Sequence, residues 1–240
     1  MGLPSEKEFL THIAYDSVIF GFSGERLKIL IMKYHNTGLF ALPGGFIRRG
    51  ETLNDAAKRG LKERTGLENI FLEQFYTFGD TIRFKPEVMQ TILEANGFSV
   101  SPEYWLLDRF ISVAYYALIN YHDVTLKPDT LSDSIEWYDL DEIPELMLDH
   151  SNIVSKALQT LRENLDRKLI GRNLLPQKFT MKELQKVYEA ILGEKLRRTT
   201  FQRKMLSLNT LERHEKRFSG KAHKAPYLYS FKKNDVNNLL

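Results

Sequence analysis

The sequence predicts an α+β body followed by a smaller basic module of two helices and a hairpin, and three observations lead there. Strand-like segments alternate with a single central helix over residues 1–150. A Gly171-Arg172-Asn173 stretch followed by Pro176 breaks that rhythm. Charge also changes sign across the break: residues 172–240 hold sixteen Lys or Arg against six Asp or Glu, a charge of +10, which leaves −7 for the remainder. An acidic body with a basic end is expected where the end meets a polyanion, although a solvated basic face gives the same count.

Composition narrows the classes further. At 240 residues, 42% hydrophobic and 12% aromatic, the chain can fill one large or two modest cores and does not read as disordered. It has no cysteine, which excludes disulfide scaffolds, thiolate zinc sites and cysteine nucleophiles. No apolar run reaches the ~18 residues of a membrane span, and the first residues lack a signal-peptide core. A soluble, cytoplasmic protein with no membrane partner is expected.

The elements follow in order. Tyr15–Phe22 and Leu27–Lys33 read as strands joined by the turn residues Ser23-Gly24-Glu25. Phe40–Phe46 is an extended loop around Gly44 and Gly45, and a helix is predicted over Leu53–Thr65, capped by Thr52 or Asn54 and stopped by Gly66. Further strands are predicted over 73–78, 109–120 and 134–139, and a second helix over 151–165. An insertion at 81–107 departs from this alternation. Pro86 to Gly97 within it reads as a short amphipathic helix, and Tyr104-Trp105-Leu106-Leu107 is too apolar for water, so it packs over the body or against a second subunit.

Beyond residue 171, Thr180-Met181-Lys182-Glu183 has the form of a capping box, and Leu184, Val187, Tyr188, Ile191 and Leu192 follow at helical spacing before Gly193. A second helix near Thr199 puts Phe201, Met205 and Leu208 on one face, giving a helix-turn-helix pattern. Residues 217–231, with Pro226-Tyr227-Leu228-Tyr229-Ser230-Phe231, suit a small wing.

One stretch carries a specific signal: Gly45, five residues, Glu51, seven residues, then Arg59-Gly60-Leu61-Lys62-Glu63-Arg64-Thr65-Gly66-Leu67, preceded by Leu42-Pro43-Gly44. It resembles the Nudix box, which is a glycine, five residues, a glutamate, seven residues, then Arg-Glu-apolar-any-Glu-Glu-any-Gly-apolar. The resemblance implies a Nudix α/β/α sandwich, a mixed sheet between helices, over roughly residues 10–150. In Nudix hydrolases three box glutamates hold Mg²⁺ against a pyrophosphate, the oxygen-ligand arrangement a hard cation needs. Here those positions are Gly60, Glu63 and Arg64. One carboxylate survives, and the guanidinium opposes a divalent cation by on the order of several kcal/mol in a partly desolvated site. No catalytic residue, metal or cofactor is therefore expected; Mg²⁺ belongs only to the alternative reading, a weak pyrophosphohydrolase of ADP-ribose or a similar nucleotide. The resemblance also implies a Glu51–Arg59 salt bridge, and Glu63 is expected to pair with Arg64 or Arg48.

The basic end suggests DNA. From Arg197 to Lys233 there are eleven Lys or Arg against two acidic residues. Thr199, Thr200, Gln202 and Arg203 open the second helix, where side chains reach base edges, Arg suiting guanine and Gln adenine. Arg197, Arg198, Lys204, Arg217, Lys221 and Lys224 are placed for phosphates. A small helical dimerisation module would look similar. Taken with the defective box, the Leu174-Leu175-Pro176…Phe179-Thr180 entry and Thr199–Lys204, the chain resembles the Nudix-related transcriptional regulators of bacterial NAD or sugar metabolism. That resemblance implies three parts: a degenerate Nudix effector domain over 1–150, a linker helix over 151–171, and a winged helix-turn-helix over 172–240. It also implies a homodimer on a palindromic double-stranded DNA operator, with ADP-ribose, a related nucleotide or a sugar as effector. By position the pocket is lined by Asp16, Lys33, Phe46, Glu51, Glu63, Asp108 and Arg109. Duller roles exist for each: Asp16 as a strand cap, Lys33 as a solvated end residue, Asp108 with Arg109 as an ion pair. Tyr104 and Trp105 are expected either to stack on a base or sugar face, or to fill the dimer interface.

Overall fold

The computed structural model describes residues 4–68, 70–121, 124–129, 131–166, 174–217 and 225–232. The chain divides into two compact units, residues 1–21 with 28–159 and residues 22–27 with 160–240. Among the described residues no helix is long and apolar enough to cross a membrane.

The first unit is built on a seven-stranded sheet of order β3-β2-β1-β6-β5, with β4 paired to β1 and β7 to β2. Its strands are β1 (Phe9–Phe22), β2 (Leu27–Tyr34), β3 (Phe40–Ala41), β4 (Gly44–Arg48), β5 (Leu72–Phe78), β6 (Ile111–Asn120) and β7 (Ser132–Asp139). β1 starts six residues earlier than the alternation predicts. A register shift between Phe9 and Ala14, with His12 at φ 65°, lets it pair with β4 at Phe9↔Arg48 and again over Ala14–Asp16. Helix α1 (Leu53–Thr65) has the predicted bounds: the Thr52 hydroxyl accepts from the Asp55 N–H, and Gly66 closes the helix in the left-handed region.

Successive residues of a strand point to opposite faces, and β1 uses this at Tyr15 and Asp16. Tyr15 lies on the α1 side with Ile47, Ala56 and Ala57, in a fully buried cluster that also takes Val113 and Tyr115. Asp16 points the other way, toward His150, the first residue of α3 (His150–Asn164). The sheet thus separates α1 from the start of α3, the α/β/α layering the box implies.

The insertion is ordered as a 3-10 turn at Thr81–Arg83, helix α2 (Pro86–Ala95) and a second 3-10 turn at Trp105–Leu107. Trp105 is 3% exposed within this single chain. It stacks on Phe9 at 6.0 Å and meets Phe46 and Phe110 at 5.0 and 5.8 Å. The Tyr104 hydroxyl and the Trp105 indole N–H both donate to the Pro4 carbonyl, at 2.7 and 3.1 Å. Trp105 thus packs over its own body, as one expectation for this segment had it, and its ring is not free to stack on a ligand, whereas Tyr104 is only half-buried.

The second unit holds α4 (Met181–Leu192), α5 (Arg198–Ser207) and the three-stranded sheet β8-β10-β9, from β8 (Phe179–Thr180), β9 (Leu211–Lys216) and β10 (Tyr227–Phe231). The capping box forms: Thr180 and Glu183 each bond the other's backbone N–H. Leu184, Val187 and Ile191 are fully buried, each worth about 1.5–3 kcal/mol of burial. The Tyr188 and Phe201 rings cross at 5.1 Å and lock α4 against α5.

Candidate functional site

The box helix is where a Nudix metal centre would be assembled, and its own side chains fill that place. Gly60 faces the Tyr15 phenol so closely that a Cβ there would lie 2.0 Å from the hydroxyl oxygen. Gly45 sits under the same ring, where a Cβ would lie 2.8 Å from that oxygen. Arg64 is buried and fully engaged. Its Nη2 donates to the Gly44 carbonyl at 2.9 Å and to Asp129 at 3.0 Å, and its Nη1 to the Gly60 carbonyl at 3.3 Å. Asp129 is held in turn by the Leu131 N–H and the Ser132 hydroxyl. Burial raises the Tyr15 pKa, opposed by Arg64 and Arg59, so the phenol is neutral. A divalent cation asks for several oxygens from one helix face. This face offers a phenol, a glycine and a guanidinium beside the half-exposed Glu63, and the donor set does not fit a metal.

Next to it, Arg59 gathers three of the predicted pocket residues. It donates to both carboxylate oxygens of Glu51, at 3.0 and 2.7 Å, and to the Phe46 carbonyl at 3.1 Å. Glu63 lies 3.5 Å away. The partner expected for Glu63, Arg64 or Arg48, is corrected to Arg59: Arg64 turns inward to Asp129 instead. The Arg59 hydrogen bonds hold the Glu51 carboxyl below its ordinary 4.5, with burial opposing and the Arg48 N–H assisting.

Asp16 is placed differently from the expectation that it lines the pocket. It is 6% exposed, and its Oδ2 takes the Ser112 hydroxyl at 2.6 Å and Arg83 at 3.2 Å. Arg83 also binds Asp149 at 2.5 Å. His150 accepts the Leu42 N–H on Nδ1 at 3.0 Å, which leaves the proton on Nε2, 3.7 Å from Asp16. Burial lowers the His150 pKa, and Asp16 only partly opposes it. Asp16 is thus consumed by a buried network behind the glycine loop. Lys33 sits across from Phe40 with its ammonium 6.0 Å from that ring. Asp108 is half exposed and 3.9 Å from His12, and Arg109 donates to the Gly79 carbonyl; the two do not pair with each other. No hydrogen bond or ion pair among the described residues joins these three to the Arg59 cluster. The residues missed by sequence reasoning are Tyr15, Arg83, Asp129, Asp149 and His150. Tyr15 is a polar tip in an apolar strand, while Arg83, Asp129, Asp149 and His150 lie in mixed polar stretches with no local signal, and the partners of these four are remote in sequence.

In the second unit α5 presents Arg198, Thr199, Thr200 and Arg203 to solvent, with Gln202 half-buried, while Phe201 and Met205 face the core. Arg197, Arg198 and Arg203 form no ion pair among the described residues. Two residues expected at phosphates are otherwise engaged: Lys204 binds Asp166 at 2.7 Å, and Arg217 binds the capping Glu183 at 2.8 Å. Lys221 and Lys224 lie outside the described residues. On the β9–β10 sheet, Arg213 and Lys216 lie over the exposed Tyr227 ring at 4.7 and 5.3 Å, a cationic surface the sequence reading did not select.

Two family models match this chain: the NUDIX domain over residues 10–159 and the NrtR DNA-binding winged helix domain over residues 171–231. The ADPR responsive transcriptional repressor NtrR of Acinetobacter baylyi is 29% identical over 230 residues, covering 92% of this chain and 83% of that protein. The crystal structure of Shewanella oneidensis NrtR complexed with a 27mer DNA matches with a TM-score of 0.69 at 26% identity, covering 94% of this chain and 95% of that one. An ADP-ribose pyrophosphatase of Methanocaldococcus jannaschii is 31% identical over 135 residues, 55% of this chain and 66% of its own length. The chain belongs to the Nudix family, among the Nudix-related transcriptional regulators that carry a C-terminal winged helix.

Proposed function

We propose that the chain is a ligand-responsive transcriptional regulator that binds double-stranded DNA through α5 and senses ADP-ribose or a closely related nucleotide without hydrolysing it. The observation that carries this reading is the filled box: Tyr15 lies over Gly60, and Arg64 is clamped between Gly44 and Asp129. A Nudix fold so altered keeps its binding surface and loses the ligands that hydrolysis needs. The Acinetobacter relative, ADPR responsive by name, favours a nucleotide over a sugar and repression over activation. The same reading has the protein act in the cytoplasm as a homodimer on a palindromic operator, with no metal or cofactor. Phe46, Glu51 and Glu63, gathered at Arg59, are the pocket residues this reading relies on; Lys33, Asp108 and Arg109 have no hydrogen bond or ion pair to that cluster among the described residues. Arg197, Arg198, Thr199, Thr200, Gln202 and Arg203 carry the DNA contact, supplemented by Arg213 and Lys216.

The test is a footprint on the DNA flanking the gene for this chain, near physiological salt and with excess competitor, because counterion release makes low-salt binding by a basic surface uninformative. A protected, two-fold-symmetric site whose occupancy changes with ADP-ribose is expected. Equal binding to unrelated DNA would reduce the second unit to a nonspecific nucleic-acid binder.

A further inference from the structure

Helix α3 is fastened at both ends, each time to the element that matters in its own unit. At its start, His150 takes the Leu42 N–H from the loop before Gly44 and faces Asp16. Asp149 just before it binds Arg83 of the insertion. Asp16 also lies against Gly44, where a Cβ would come 2.7 Å from its Oδ1, so the first turn of α3 is packed to the glycine loop. Along the helix, Ile153, Ala157 and Leu161 are fully buried at four-residue spacing, one continuous apolar stripe.

At the other end, three contacts fasten it to the helix-turn-helix. Arg162 Nε donates to the Ile191 carbonyl in the last turn of α4 at 2.8 Å. The Tyr188 hydroxyl donates to the Leu165 carbonyl at 3.3 Å. Asp166 binds Lys204 of α5 at 2.7 Å, with the two side chains 41% and 52% exposed. Burial and the neighbouring Asp166 carboxylate both raise the Tyr188 pKa, so the phenol stays neutral beside that carboxylate. Lys204 is therefore directed at the end of α3, and it lies one residue from Arg203.

We propose that Asp166 is a positioning residue for DNA reading: through Lys204 it ties the recognition helix to the end of α3, and effector occupancy reaches α5 by this tie. The proposal rests on the ligand-sensing reading above. Allosteric coupling requires contacts that differ between the two states, and a half-exposed ion pair suits that role because it is made or broken at small cost. Arg162 and Leu165 keep the helices joined in both states, while the Asp166–Lys204 pair sets the angle of α5.

The experiment compares full-length wild type, Asp166→Asn and Asp166→Glu. For each it measures ADP-ribose affinity by calorimetry and operator Kd by fluorescence anisotropy with and without saturating ADP-ribose. Asp166→Asn is expected to bind ADP-ribose as wild type does, while the ADP-ribose-induced change in operator Kd shrinks about two- to fivefold, the factor such a pair can carry. Asp166→Glu, which keeps the charge, restores most of it. An undiminished change in Asp166→Asn overturns the proposal and leaves the regulator reading intact. A wild type whose operator binding ignores ADP-ribose overturns both. Amide exchange on the wild type alone gives a second readout that needs no variant. Protection in Arg198–Ser207 is expected to change on adding ADP-ribose, and an unchanged helix counts against the tie.

Discussion

Tyr15 and Asp16 are adjacent in β1, and the pleat sends one into the box and the other into the network that seats α3. Gly60 is glycine because the phenol occupies the space a side chain would need. Gly60→Ala is accordingly expected to destabilise by about 1–3 kcal/mol through overpacking, read as a fall in Tm. Tyr15→Phe alone is expected to be near neutral, since the buried hydroxyl has no hydrogen-bond partner. Combined with Gly60→Ala it should recover part of the loss, because the hydroxyl is the atom in closest conflict. Additive losses in the double variant would show that something other than the phenol excludes a side chain there. Two arginines differ in the same residue-level way. Arg203→Ala should weaken operator binding by about 1–3 kcal/mol if it reads a base and leave Tm unchanged. Arg217→Ala should destabilise the fold by up to about 1 kcal/mol, the worth of a partly exposed pair, read as a fall in Tm, because its guanidinium holds Glu183. The reverse pattern would exchange their roles.

Among the elements, those defined by local rules were legible in the sequence. Thr52 and Gly66 bound α1, and Thr180, Glu183 and Gly193 bound α4, because caps act over three or four residues. Pairings across long separations were not. Arg64 finds Asp129 sixty-five residues away and Arg83 finds Asp16 sixty-seven residues back; no periodicity announces either. The loop before α1 was legible in part, since the resemblance to the Nudix box implies the Glu51–Arg59 pair. That pair makes the loop acid-sensitive with a definite sign. The Glu51 carboxyl is held below 4.5 in the folded chain, so its contribution is complete above that value and is lost as pH falls through the lowered pKa. Charge-assisted bonds of this kind are worth about 1.5–3 kcal/mol. Wild type should therefore melt above Glu51→Gln at pH 7, and the gap should close as the pH falls below 4.5. A gap constant with pH would assign the difference to packing.

At the scale of the whole molecule, an acidic Nudix unit has exchanged metal ligands for internal partners, and a basic winged helix supplies the output. The charge asymmetry of +10 against −7 was visible in the sequence. How the basic residues divide was not. Lys204 and Arg217 are paired within their unit, while Arg197, Arg198 and Arg203, with no ion pair among the described residues, are the ones proposed for DNA. The central claim, that this chain senses a nucleotide and does not consume it, is tested most directly by following operator anisotropy over time. Stoichiometric ADP-ribose is added to the protein–DNA complex with Mg²⁺ present. A change in anisotropy that appears on mixing and then holds is expected. No change, or a change that decays back as the nucleotide is cleaved, would contradict that claim.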